Sequence, residues 1–201
     1  MSIAIVDYGA GNLRSVEKAL TYLGFDSYFA SEPAALERAD AVILPGVGAF
    51  PKCMAALREK GMDREIIRQS EKKPLLGICL GMQMLLDSSS EITYSEGLGL
   101  IHGRVEQIPT ELKLPHIGWN SLHIVNDNPL LRGIEEGEYV YFVHSFAAVT
   151  QDESDLALTT DYGGRVTAMV ARGNVYGCQF HPEKSGPVGM RILKNFGELN
   201  R

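Results

Sequence analysis

A chain of 201 residues can bury a substantial core without disulfides or metals, and its 45% apolar and 22% charged residues fit a soluble globular protein, not a disordered, fibrous or membrane one. A formal net charge of -6 and the lack of any basic tract argue against a nucleic-acid partner, because phosphate binding needs a dense Lys/Arg surface. No apolar run approaches the roughly 18 residues that span a bilayer, and the start, Met1-Ser2-Ile3-Ala4-Ile5-Val6-Asp7, reads as a first strand and not as a signal peptide.

Short β-branched runs alternate with amphipathic stretches through the first half, which predicts a parallel sheet with crossover helices. The first strand, 3–7, feeds the turn Tyr8-Gly9-Ala10-Gly11-Asn12, after which Leu13, Val16, Leu20 and Leu23 recur at helical spacing until Gly24. A second strand is expected at 27–30, a short helix at 33–38 and a third strand at 41–44, followed by the turn Pro45-Gly46-Val47-Gly48. Helical patterning returns over 52–60 and 63–71, with Gly61 between. Residues 74–79 form an apolar strand without charge, and a helix runs from near Gly81 to about Leu86. Later strands are expected at 103–107, 121–125, 139–143, 157–160, 166–170 and 175–180, as partly antiparallel additions to the sheet, and a last helix over about 188–198 covers one face. No repeat or linker divides the chain, so the expectation is one α/β domain over residues 1–201, an open, mostly parallel sheet flanked by helices.

Three cysteines, Cys53, Cys79 and Cys178, form no C-x-x-C pair, so neither a disulfide framework nor a zinc site is expected, and a free thiol suits a reducing cytoplasm. His102, His116, His123 and His144 are scattered without ligand spacing, so no metal is expected either. In Gly77-Ile78-Cys79-Leu80-Gly81 the middle cysteine sits between glycines where a buried strand meets a helix, the cysteine form of the G-x-S-x-G elbow. The glycines permit a tight turn, the turn holds the side chain at the carboxyl edge of the sheet, and the helix start favours a thiolate. The plain alternative for Cys79 is packing as a small buried hydrophobe, and that is the reading for Cys53, in a helical stretch, and Cys178, inside a strand.

A cysteine nucleophile needs a base and a group to orient the base. Gln179-Phe180-His181-Pro182-Glu183-Lys184 offers both, since His181 and Glu183 lie two apart, on one side of an extended chain, with Pro182 limiting the freedom between them. A surface His-Pro-Glu turn is the alternative. Pro45-Gly46-Val47-Gly48 could present backbone N–H groups to an oxyanion, although alone it is only a glycine turn.

Taken together, Pro45-Gly46-Val47-Gly48, Gly77-Ile78-Cys79-Leu80-Gly81-Met82-Gln83 and His181-Pro182-Glu183 resemble the class I, triad-type glutamine amidotransferases in content, spacing and order. Asp7-Tyr8-Gly9-Ala10-Gly11-Asn12-Leu13, Pro115-His116-Ile117-Gly118-Trp119-Asn120, Tyr141-Phe142-Val143-His144-Ser145 and His181-Pro182-Glu183-Lys184-Ser185 are similar to the glutaminase subunits of imidazole glycerol phosphate synthases, over nearly the whole chain. The resemblance implies a flavodoxin-like fold and no cofactor. It implies a γ-glutamyl thioester on Cys79, proton transfer by His181, orientation of His181 by Glu183, and backbone oxyanion stabilisation around Val47, Gly48 and Leu80.

It further implies that Gln83, Glu91, Val143, His144, Ser145 and Phe146 surround L-glutamine. Asn12, Trp119 and Lys184 would meet a (β/α)8-barrel cyclase subunit, which takes the ammonia in a heterodimer. A core position is the alternative for Trp119, the sole tryptophan; the polar neighbour Asn120 and the enrichment of Trp at binding hot spots favour the interface. Three further readings stand beside this one. The chain could supply ammonia to anthranilate, aminodeoxychorismate or guanylate synthesis, against which the Pro-His-Ile-Gly-Trp-Asn segment counts. It could be a cysteine hydrolase of γ-glutamyl folate-like substrates. It could be a non-catalytic binding module, whose mark would be a missing triad member, and none is missing.

Overall fold

In a computed structural model, which describes residues 2–199, strand and helix alternate through the first half of the chain. β1 (Ser2–Val6), α1 (Leu13–Tyr22), β2 (Asp26–Ala30), α2 (Pro33–Glu37), β3 (Ala41–Gly46), α3 (Phe50–Glu59), α4 (Met62–Ser70), β4 (Leu75–Cys79) and α5 (Leu80–Met84) follow in order. β3 and β4 are buried at every position, as strands with helices on both faces must be, which is why their sequences read as apolar runs without alternation. On one face Ile3, Ile5, Ile43, Leu76 and Ile78 pack with Val16 and Leu20 of α1; on the other Ala4, Val6, Val42 and Leu44 pack with α2 to α5.

The second half supplies β5 (Ser88–Ser89), β6 (Ser95–Glu96), β7 (Gly103–Gln107), β8 (His116–Ser121), β9 (His123–Ile124), β10 (Tyr139–His144), β11 (Phe146–Thr150), β12 (Leu156–Asp161), β13 (Arg165–Arg172), β14 (Val175–Cys178) and α6 (Gly186–Gly197). The main sheet has eight strands in the order β2-β1-β3-β4-β14-β13-β12-β9. It is parallel from β2 to β14 and antiparallel beyond, the open α/β sheet with additions that the sequence pattern implies. Ile192, Leu193 and Phe196 of α6 join α1 on its first face.

Three expectations need correction. The strands at 103–107 and 139–143 form but stay out of the main sheet: β7 pairs β11 and β5 in a four-stranded sheet, and β10 pairs β8 in a two-stranded one. β8 and β11 were not expected at all, because β8 is broken up by Gly118 and polar residues, and β11 follows β10 after Ser145 alone, so that one apolar run conceals two strands. The strand over 121–125 is interrupted at Leu122, whose N–H donates to the Glu138 carbonyl at 2.8 Å. There the chain leaves β10 and turns to β12.

Register positions the chemistry. β3 and β14 flank β4, with Gly46 opposite Cys79 and Cys178 opposite Ile78, so three parallel strands end level at one carboxyl edge. Open α/β sheets bind ligands at that edge. α5 can lie across it because the residues beneath are glycines. Gly77 and Gly177 are register partners, and a Cβ at Gly77 would sit 2.7 Å from the backbone of Gly81 and Met82. A Cβ at Gly81 would come within 1.8 Å of the Leu44 carbonyl oxygen.

Candidate active site

Cys79 ends β4 with its backbone at φ 55 and ψ -113, a region that residues with a Cβ rarely adopt and that costs about 1–3 kcal/mol. This bend turns the strand directly into α5 and leaves the side chain 8% exposed, at the floor of a cavity of about 280 Å³. The other two thiols are elsewhere. Cys178 is wholly buried in β14, and Cys53, on α3, donates to the Val47 carbonyl at 3.5 Å; burial pushes both thiols up in pKa and keeps them protonated.

His181 and Glu183 meet across a single 3₁₀ turn, Pro182–Lys184, and not along an extended chain as the sequence spacing suggests. His181 Nδ1 lies 2.9 Å from Glu183 Oε1, with the two side chains 3% and 1% exposed. Because a carboxylate only accepts, the hydrogen sits on Nδ1, which leaves the other ring nitrogen free to serve Cys79, its neighbour in the cavity wall. Burial works against a charge on His181, but the contacts with Cys79 and Glu183 outweigh it and raise its pKa to about 9. The backbone around it is pinned to β10: the His181 N–H donates to the Tyr141 carbonyl at 3.1 Å, and Ser185 Oγ accepts from the Tyr141 N–H at 3.0 Å and donates to the His181 carbonyl at 2.6 Å.

The cavity gathers most of the residues named from the sequence. Cys79, Leu80 and His181 line it with Val47 and Gly48, and Gln83, Val143, His144, Ser145, Phe146 and Lys184 complete the wall. The turn after β3 is tethered on both sides, by Tyr8 Oη donating to the Pro45 carbonyl at 2.9 Å and by the Cys53 thiol on Val47.

Glu91 stands apart. It is outside the cavity wall, and its carboxylate accepts the Phe50 N–H at 2.6 Å, at the start of α3. Glu183 is behind His181, and its Oε2 is buried without a hydrogen-bond partner among the described residues. Asn12 accepts from Ser15 Oγ at 2.9 Å at the start of α1, and Trp119 lies on β8, 53% exposed, with its ring 6.1 Å from that of Tyr141.

The glutamine amidotransferase class-I family model matches residues 4–199. The chain belongs to this family. The curated protein "Imidazole glycerol phosphate synthase subunit HisH" of Caldanaerobacter subterraneus subsp. tengcongensis is 50% identical over 198 residues, 98% of each chain. The protein of the same name from Desulfitobacterium hafniense is 50% identical over 197 residues, covering 98% of this chain and 93% of that one. Among solved structures, that of PurLQS from Thermotoga maritima has a TM-score of 0.79 at 25% identity, over 97% of this chain and 96% of that chain.

Two buried residues around this amidotransferase cleft escape a reading of the sequence. Gln179, fully buried, faces Cys79 Sγ through its Nε2 at 3.9 Å and accepts from Gln83 Nε2 at 3.0 Å. His116, also fully buried, lies 3.0 Å from His144 Nε2 and 2.8 Å from Asn120 Oδ1, stacked between Phe142 and Tyr162. His144 Nδ1 donates to the Phe146 carbonyl at 2.8 Å, so both of its ring nitrogens are engaged within the protein. Burial lowers the pKa of both rings, that of His144 to about 4. The one available signal was polarity: an amide in an apolar run, just beyond β14, which ends at Cys178 and not at Phe180 as expected, and a histidine inside β8, must each find a partner.

Proposed function

We propose that the chain, acting as one glutamine amidotransferase domain, hydrolyses L-glutamine to glutamate and ammonia. The ammonia passes to a separate (β/α)8-barrel cyclase subunit, for imidazole glycerol phosphate synthesis in histidine biosynthesis. The observation carrying the chemistry is the line from a strained Cys79 through His181 to a buried Glu183, with the sulfur facing the cavity. The likeness to proteins called subunits of imidazole glycerol phosphate synthase supports the pathway.

In this reading the Cys79 thiolate attacks the side-chain carboxamide carbon of glutamine, a C–S bond forms, and the carbonyl electron pair moves to oxygen. Backbone N–H groups at Val47, Gly48 and Leu80 receive that oxyanion. The His181 imidazolium gives its proton to the amide nitrogen, the C–N bond breaks and ammonia leaves. Neutral His181 then takes a proton from water as the water oxygen attacks the thioester, the C–S bond breaks, and glutamate departs with the thiolate restored. Glu183 keeps the Nδ1 hydrogen in place throughout, so the other nitrogen always faces the sulfur. Gln83 and residues 143–146 form the wall against which glutamine rests.

The partner half of the reading is supported by the β8–β10 pair. It presents Ile117, Trp119 and Tyr139, 59%, 53% and 58% exposed, a row of large apolar side chains of the kind that interface cores favour. Tyr141, opposite Trp119, is the residue whose backbone holds His181 and Ser185, so docking on this face can reach the triad. Asn12 and the exposed Lys184 complete the interface in this reading. Among the described residues no helix is long and apolar enough to cross a membrane, and the reading places the protein in the cytoplasm.

Steady-state glutaminase assays on the free chain, the chain with a barrel-type cyclase, and that complex with its nucleotide ligand test both halves. The free chain should be slow, and the liganded complex should raise kcat by about 10² to 10³, the typical worth of one oxyanion donor, with little change in KM. Cys79→Ala should abolish turnover in every state, whereas Cys53→Ala and Cys178→Ala should retain most of it. Equal kcat in all three states would remove the partner from the reading, and glutamine turnover by Cys79→Ala would remove the triad.

A further inference from the structure

We propose that Gln179 is a catalytic residue for this reaction: its side-chain N–H donates to Cys79 Sγ and favours the thiolate. Gln83 and the carbonyl of Phe146 fix which end of the Gln179 amide faces the sulfur. The inference rests on Cys79 being the nucleophile.

A primary amide with no exposure, set between the fully buried Cys178 and Phe180, is costly unless it is hydrogen-bonded, so each end of Gln179 has an assignable partner. Which end faces which partner follows from bonding alone. The Phe146 carbonyl can only accept, so the Gln83 group 2.9 Å from it is the NH2. The same NH2 lies 3.0 Å from Gln179, which must therefore offer its oxygen there. That leaves the Gln179 NH2 pointing at Cys79 Sγ, at 3.9 Å, a long contact even for sulfur. His144 Nδ1 donates to the same Phe146 carbonyl at 2.8 Å, which helps to hold that acceptor in place. The Gln179 backbone is tied as well, through its N–H to the Ala168 carbonyl at 2.9 Å.

A donor aimed at sulfur gains strength when the sulfur is charged, so this contact shifts the balance from thiol to thiolate. Gln179 does not border the cavity, which separates its effect from glutamine binding. Its place follows from the strand ends: Cys178 pairs with Ile78, and Gln179 is the residue that follows β14 where Cys79 ends β4.

The test is the rate of Cys79 alkylation by chloroacetamide across pH, read by mass mapping, in the full chain and in Gln179→Met, Gln179→Glu and Gln83→Leu, each checked for folding by circular dichroism and a melting curve. Gln179→Met keeps the shape and loses the donor; it should move the midpoint of the profile up by about one pH unit, and so slow alkylation by about tenfold at pH values below the midpoint of the unsubstituted chain, toward the low end for a donor to a charged group because the contact is long. Gln179→Glu, which adds negative charge, should move it at least as far. Gln83→Leu frees the Gln179 amide to turn and should shift the profile in the same direction by less, which keeps the test available if a Gln179 variant does not fold. In glutaminase assays kcat should fall with KM within a few-fold. Folded Gln179→Met with a profile superimposable on the unsubstituted chain overturns the role of Gln179. Labelling at Cys53 or Cys178 in the unsubstituted chain overturns the nucleophile instead.

Discussion

The proton on His181 decides what the triad can do. Burial alone would strip it, yet the contacts with Cys79 and Glu183 hold it up to about pH 9, so the acid that the leaving ammonia needs is present throughout the neutral range and is lost above it. We expect glutaminase activity of the partnered enzyme to fall above about pH 9. Imidazole ¹⁵N titration should place His181 near 9 in the unsubstituted chain and lower in Cys79→Ala, where the largest favourable contact is gone. A midpoint at or below 6.5 in the unsubstituted chain would refute the pairing. The grouping of Cys79, His181 and Glu183 around one cavity was legible in the sequence because each part of the proposed triad has a local signature: glycines around a cysteine, and a proline between a histidine and a carboxylate. Gln179 was not, since its partners Gln83 and Cys79 lie 96 and 100 residues away and only the fold brings them together. Glu91 shows the reverse limit. Its matching position suggested the glutamine pocket, whereas it stands outside the cavity wall with Oε2 accepting the Phe50 N–H.

At the scale of elements, the sharpest constraint is the contact of α5 with β3 and β4. Overpacking a tight contact costs about 1–3 kcal/mol when side chains can give way, and here the clash is with backbone. Gly81→Ala would bring a methyl to 1.8 Å from the Leu44 oxygen, so it should lower stability by more than about 3 kcal/mol or prevent soluble expression, with the urea midpoint as the measurement. A midpoint within error of the unsubstituted protein would mean that helix and strand can part freely. The parallel half of the sheet was readable because a buried strand, a glycine turn and an amphipathic helix repeat in short order. β8 and β11 were not, because each owes its strand form to a partner far along the chain, β10 for one and β7 for the other. The residues of β8 gave no period of two from which to infer it.

For the molecule as a whole, strand order and chain order part company at β4. One neighbour, β3, precedes it, while the other, β14, is made about a hundred residues later, after β5 to β13. Until β14 docks, Leu75–Cys79, buried at every position in the finished fold, is an apolar edge with unpaired backbone groups, the kind of edge that recruits other chains. A chain stopped at residue 174 should accordingly aggregate or remain bound to chaperones; a soluble monomer with the far-ultraviolet spectrum of the full chain would contradict this. The same delay guards the cell's glutamine. A polypeptide still on the ribosome carries its thiol early, but the imidazole, the carboxylate and the buried amide that arm it in the proposed mechanism all follow β14, so on that mechanism a nascent chain, or one truncated before Gln179, does not leak ammonia.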